Sequence, residues 1–146
     1  MQCNAAGIAL IKEFEGCRLD AYEDQGGVPT IGWGQTGPSV QMGMTISQSQ
    51  ADEWLTEQIQ NVSTSLSRML TNPINENQFA ACVSLAYNIG LGNFASSSAR
   101  QLINIGALAD VPVHIGMWNE VNHAVDPGLV RRRNAEIALW NTPVSA

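Results

Sequence analysis

Between Ala51 and Leu70 apolar residues return at helical spacing: Ala51, Trp54, Leu55, Ile59, Val62, Leu66, Met69 and Leu70. A stripe that long commits the segment to one amphipathic helix, about Ser47 to Leu70, with Thr45 or Ser47 as its cap. The stretch "TNPIN" breaks it, since proline cannot continue a helix interior. The next segment, Glu76 to Ile89, is strongly apolar through Phe79, Cys82, Val83, Leu85 and Ala86. That pattern predicts a helix running through the centre of a helical lobe, ended by Gly90. Shorter helices are expected over Ser97–Asn104 and Val113–Asn122. "VDPGL" reads as a turn, and a last helix, about Leu129–Trp140, carries Arg131, Arg132 and Arg133.

Ahead of the long helix the period changes. A first helix should begin after Asn4, a good cap, and bury Ile8, Ile11 and Phe14 before stopping at Gly16. "CRLDAY" then alternates, "EDQGG" is a turn cluster and "VPTIGWG" resumes with β-formers. A hairpin or small sheet follows directly on a helix, and "QTGPSVQMGM" is a loop. The fold class is therefore α+β: a small N-terminal sheet lobe and a mostly helical lobe, joined by the long helix, which forms one wall of a cleft.

The 146 residues suggest a single domain, 1–146. With 45% hydrophobic and 14% charged residues, the chain can build a core without staples. No apolar run approaches membrane-helix length, and "MQCNAAG" lacks the pattern of a signal peptide. The net charge of −6 argues against nucleic acid as a partner. Cys3, Cys17 and Cys82 are widely spaced, so no zinc site is expected; they read as reduced, buried residues, or as one bridge, Cys3 with Cys17, plus a leftover thiol. His114 and His123 bring no motif that would make a cysteine nucleophilic. No cofactor and no metal are implied.

The chemistry concentrates between Glu13 and Gly37. Glu15 falls in the last turn of the first helix, where the negative end of the helix dipole favours a protonated carboxyl, the form of a general acid. Alone, it could equally be a solvated helix-end residue. Asp24 lies in a glycine-rich turn whose N–H groups and water keep a carboxylate ionised, or it is simply a turn residue. Thr30 could hold a water against a carboxylate, or merely favour the strand. Two carboxyls pushed toward opposite protonation states suit glycoside hydrolysis.

The spacing of "EGCRLDAYEDQGGVPTIGWGQTG" resembles the motif of the phage-type lysozymes, the endolysins of glycoside hydrolase family 24. Glu15, Gly16, Arg18, Leu19, Tyr22, Asp24, Gly27, Thr30, Ile31, Gly32 and Gly34 all fall in place. "NENQFAACVSLAYNIGLGNFASSS" looks like the family's central helix and following loop, and "GLVRRRNAE" like the arginine-rich C-terminal helix of its lambdoid branch.

The resemblance implies a lysozyme-like fold. It also implies hydrolysis of the β-1,4 bond between N-acetylmuramic acid and N-acetylglucosamine in bacterial peptidoglycan, with host lysis as the result. Glu15 would be the general acid, and Asp24 and Thr30 would position the attacking water, with inversion at the sugar. Such a protein is made in the host cytoplasm, acts on periplasmic or cell-wall peptidoglycan as a monomer, and depends on a holin only indirectly.

Gly32, Gln35, Phe94 and Arg132 are candidates for substrate contact or support of the site. Gln35 stands where the family usually has histidine, and can hydrogen-bond but not carry charge. Successive helical positions point about 100° apart, so the three arginines cannot all face one site; one could reach the Glu15 region in support, and the others are solvated or paired with acids. Gly90, Gly92 and Phe94 shape the cleft edge or serve as hinge and turn. Trp33 either stacks on sugar or turns away, and Trp54, Trp118 and Trp140 belong to the core. Some relatives are held at a membrane and activated by thiol exchange, which gives the Cys3–Cys17 bridge a regulatory reading. Two alternatives remain: a lytic transglycosylase, which uses one acid and makes an anhydro sugar, and a silent wall-binding module.

Overall fold

The computed structural model describes residues 1–145. Helix α1, Ala5–Glu15, starts where the Asn4 side chain accepts from the Gly7 N–H and ends at Gly16, whose φ of 65° frees its own N–H to reach the Lys12 carbonyl. Strand β1, Arg18–Glu23, then pairs antiparallel with β2, Pro29–Gly32, with Tyr22 opposite Thr30 and an irregularity between Arg18 and Tyr22. The loop after β2 returns along β1: Ala21 N–H donates to Met44 and Ile46 N–H to Leu19. So the end of the loop adds a partial third strand.

Helix α2, Gln48–Met69, is capped by Ser47 and buries Ala51, Leu55, Ile59, Val62, Ser63 and Leu66. This is the stripe read from the sequence. Helix α3, Glu76–Ile89, is capped reciprocally by Asn75 and Gln78, and every residue from Phe79 to Ala86 is buried. A helix without a wet face must be surrounded, and α1, α2 and α7, Pro127–Trp140, pack around α3. Helix α2 also meets β2, so it carries the sheet lobe against the helical one. Among the described residues no helix is long and apolar enough to cross a membrane.

The region after α3 departs most from expectation. An additional helix, α4 (Leu91–Ala95), precedes α5 (Ser98–Asn104), and α6 (Val111–Gly116) stops well short of Asn122. Residues 117–126 instead form a hairpin, β3 (Glu120–Val121) with β4 (Ala124–Val125). Its turn residues Asn122 and His123 have φ of 51° and 66°, as a two-residue hairpin loop demands. Asn-Gly announces such a turn; Asn-His does not. "VDPGL" is the start of α7 rather than a turn: Asp126 caps it by accepting from Leu129 N–H, and Pro127 takes the first helical position. Trp140 is buried, whereas Trp54 and Trp118 are half-buried.

The Cys3–Cys17 bridge is not formed; all three cysteines are free thiols. Cys3 and Cys17 flank the 11-residue α1, which holds them on the order of 15 Å apart, against the roughly 7 Å limit for a disulfide. Burial pushes the Cys3 thiol up to about 12.

Helices α1 and α3 touch at Gly7. A Cβ there would stand 2.5 Å from Cys3 Sγ and 2.8 Å from the Ala80 Cβ. Ala80 cannot yield without moving the backbone of the central helix. Gly7→Ala is therefore expected to lower the unfolding free energy by roughly 1–3 kcal/mol in urea titration, despite alanine's better helix propensity. An unchanged midpoint at unchanged slope would show that the two helices can part freely.

Candidate active site

The end of α1 places Glu15 against two elements at once. Its Oε2 pairs with Arg132 Nη1 of α7 at 2.5 Å, and its other oxygen lies over Gly34, where a Cβ would come within 2.5 Å of Oε1. Gly34 also has a φ of 90°, so both space and backbone require glycine there. The carboxyl is 18% exposed. The helix-end view of Glu15 did not include this cation in direct contact.

Arg132 is itself buried, with Nε on Glu136 Oε2 at 3.4 Å and Nη2 on the Ser84 carbonyl at 3.2 Å. Arg133 is also buried and gives Nη2 to Asn88 Oδ1. Its Nε lies 3.0 Å from Glu136 Oε1, an ion-pair contact outside hydrogen-bond geometry. Arg131 is exposed. The three arginines thus divide as their helical spacing requires: one on Glu15, one on an internal acid, one in solvent. Burial pushes the Glu136 carboxyl up, opposed by Arg133, Ser84 and Arg132.

Asp24 is exposed and fixed by its turn. Its Oδ1 accepts from the N–H groups of Gly26 (2.8 Å) and Val28 (2.9 Å), leaving Oδ2 without a donor among the described residues. Thr30 is buried, and its hydroxyl donates to the Val28 carbonyl at 2.9 Å. Tyr22 faces Thr30 across the hairpin. Burial raises its phenol, the charges of Glu15 and Asp24 raise it further, and Arg18, stacked 4.3 Å from the ring centre, opposes them. Tyr22 thus pairs with Thr30 and feels both carboxyls, whereas the cavity at Glu15 is lined by neither Asp24 nor Thr30.

Gly32 and Gln35 are buried and belong to the support of the site. Gln35 accepts from Trp33 N–H (2.7 Å) and donates to the Tyr87 hydroxyl (3.0 Å), which in turn donates to the Trp33 carbonyl (2.8 Å). Gly32 leaves room for this amide, since a Cβ would meet Gln35 Oε1 at 2.5 Å. Burial raises the Tyr87 phenol, as does Glu15, against Arg132. Trp33 turns away from a sugar-stacking position: its indole donates to Asp52 at 2.9 Å, and Lys12 sits over its ring. Phe94 requires a correction. It is fully buried in the core, where an aromatic ring is held by packing, and it does not edge the cleft.

An open cavity of about 450 Å³ brings Glu15 together with Glu13, Asn88, Arg131 and Arg132. It shares Asn88 and Leu129 with a cavity of about 810 Å³ lined also by His114, Trp118, Glu120 and His123. The two adjoin at these shared residues, and the larger is walled by the 120–125 hairpin, which the sequence hid. Asn88, Ser84, Tyr87 and Glu136 were also unforeseen. Of these only Glu136 left a signal, its spacing of three and four residues from two arginines. Among the described residues no cluster of side chains could hold a metal ion.

The phage lysozyme family model matches residues 12–136. The chain is 38% identical to the endolysin of Salmonella phage P22, over 96% of this chain and 98% of that one. It is 40% identical to the endolysin of Bacillus phage PZA over 97% of this chain, but spans only 56% of that longer relative. Among solved structures, the muramidase domain of SpmX from Asticaccaulis excentricus superposes with a TM-score of 0.88 at 32% identity, covering 97% of this chain and 99% of that one.

The Trp33 anchor gives the hairpin a pH dependence. Hydrogen bonds from the Trp33 indole and from Gln48, with the nearby Lys12 charge, hold the Asp52 carboxyl below its ordinary range despite some desolvation. A carboxyl depressed by folding stabilises above its unfolded value, about 3.9, and that contribution disappears as pH falls through the folded value. Asp52→Asn is therefore expected to lower the melting temperature at neutral pH, with the gap to wild type closing below about pH 4. A gap that stays constant from neutral to strongly acidic solution would remove this role from Asp52.

Proposed function

This chain belongs to the phage lysozyme family, and on that premise we propose that it is a muramidase. It hydrolyses the β-1,4 bond between N-acetylmuramic acid and N-acetylglucosamine of bacterial peptidoglycan as a single catalytic domain, residues 1–146. The observation that carries this reading is the Glu15 carboxyl, clamped between Arg132 and Gly34 at the wall of an open groove.

Glu15 is the general acid for the leaving oxygen. The water is held by two acceptors. Thr30 spends its only proton on Val28, so its oxygen can only accept from a water, and Asp24 Oδ2 accepts the other proton. A water gripped by both protons directs a lone pair at the anomeric carbon. That is an inverting geometry, which calls for carboxyl groups roughly 6.5–9.5 Å apart.

The protein works as a monomer on the wall and needs no nucleic acid. It is made in the host cytoplasm and depends on a holin only indirectly. Its charge of −6 disfavours walls rich in anionic polymers, an effect that weakens as salt rises.

Turbidity loss of purified peptidoglycan tests the assignment. Glu15→Gln is expected to lower the rate by roughly 10²–10⁴. The products should carry an added water and inverted configuration. Equal clearing by the variant would sink the role of Glu15, and muropeptides lighter by one water would identify a lytic transglycosylase instead.

A further inference from the structure

Glu136 lies outside the groove. It is fully buried on α7 and reaches neither substrate-accessible cavity, yet three side chains converge on it. Arg132 Nε and the Ser84 hydroxyl meet its Oε2, and Arg133 Nε meets its Oε1. Each arginine then extends to the groove wall, Arg132 to Glu15 and Arg133 to Asn88. A guanidinium is a rigid planar fork. Once Nε is held by Glu136 and Nη2 by the Ser84 carbonyl, the direction of Nη1 is set, and it points at Glu15.

We propose that Glu136 is a positioning residue for this reaction, a single internal carboxylate that aims Arg132 at the general acid Glu15 and Arg133 at Asn88. Removing a carboxylate from water is costly, and apolar side chains of similar volume commonly serve packing as well or better. Packing alone therefore gives no reason for an acid here; the alignment of two arginines does. The Ser84 hydroxyl adds to it by holding Oε2, the oxygen that Arg132 uses. The proposal deepens the muramidase reading and rests on Glu15 being its acid.

The test measures initial rates on purified peptidoglycan for wild type, Glu136→Gln, Arg132→Lys and the double variant. Glu136→Gln is expected to lower kcat by roughly ten- to a hundredfold, the scale set by misplacing a reacting group. The loss should fall mainly on kcat, because the groove surface is intact. Since Glu136 acts through Arg132, the double variant should be no more than about twofold slower than the slower single one. Wild-type kcat in Glu136→Gln, even with a lowered melting temperature, overturns the proposal, as do losses that multiply in the double variant.

Should Glu136→Gln fail to fold, Arg133→Met/Glu136→Met removes one basic and one acidic group together and leaves the formal net charge unchanged. It still strips Arg132 Nε of its partner, so the same kcat loss is expected and an unchanged kcat overturns the proposal. Glu15→Gln, measured in parallel, separates the two levels. An active Glu15→Gln defeats the muramidase assignment. A dead Glu15→Gln beside a fully active Glu136→Gln defeats only the positioning role.

Discussion

A charge cluster sealed between α1, α3 and α7 governs this structure. Arg132, Arg133 and Glu136 are all buried, and Glu15 closes the set at the groove. Each buried arginine meets a carboxyl group, which is the condition for keeping ions away from water. The apolar core supplies most of the driving force for folding, and the ions add an angular requirement of their own, because hydrogen bonds fail at the wrong angle. They fix how the last helix sits on the first.

A second polar device fixes the other lobe. Gln35, Trp33 and Tyr87 form a closed ring of hydrogen bonds between the hairpin turn and α3. Its members carry no charge as arranged, so it holds equally well wherever the phenol stays protonated. Burial extends that range upward for Tyr87. This gives a physical sense to glutamine at position 35, which tells a folded chain nothing about acidity. The turn it braces includes Gly34, the surface against which Glu15 lies.

Much of this was legible in the residues. The stripe from Ala51 to Leu70 fixed α2 almost to its ends, because an amphipathic helix repeats one instruction many times. The 120–125 hairpin repeats nothing: two residues per strand are too few to alternate, and its left-handed turn uses histidine where glycine would signal it. Glu15, Asp24 and Thr30 suggest themselves together because they sit within one short stretch of chain. Phe94 was misjudged because a glycine-rich neighbourhood suggested an edge, while the ring itself is covered. Partners far apart in sequence, such as Tyr87 and Trp33 or Ser84 and Glu136, leave no local trace.

The contact between Glu15 and Arg132 spans 117 positions, and this has a consequence for when the molecule becomes competent. The acid leaves the ribosome before the arginine that holds it, which follows 117 positions later. Long-range contacts of this kind close late, after the loop between them has paid its entropy. Until α7 is made, the groove lacks one wall and the Glu15 carboxyl lacks its guanidinium partner. The motif is thus made before the contact that its carboxyl depends on.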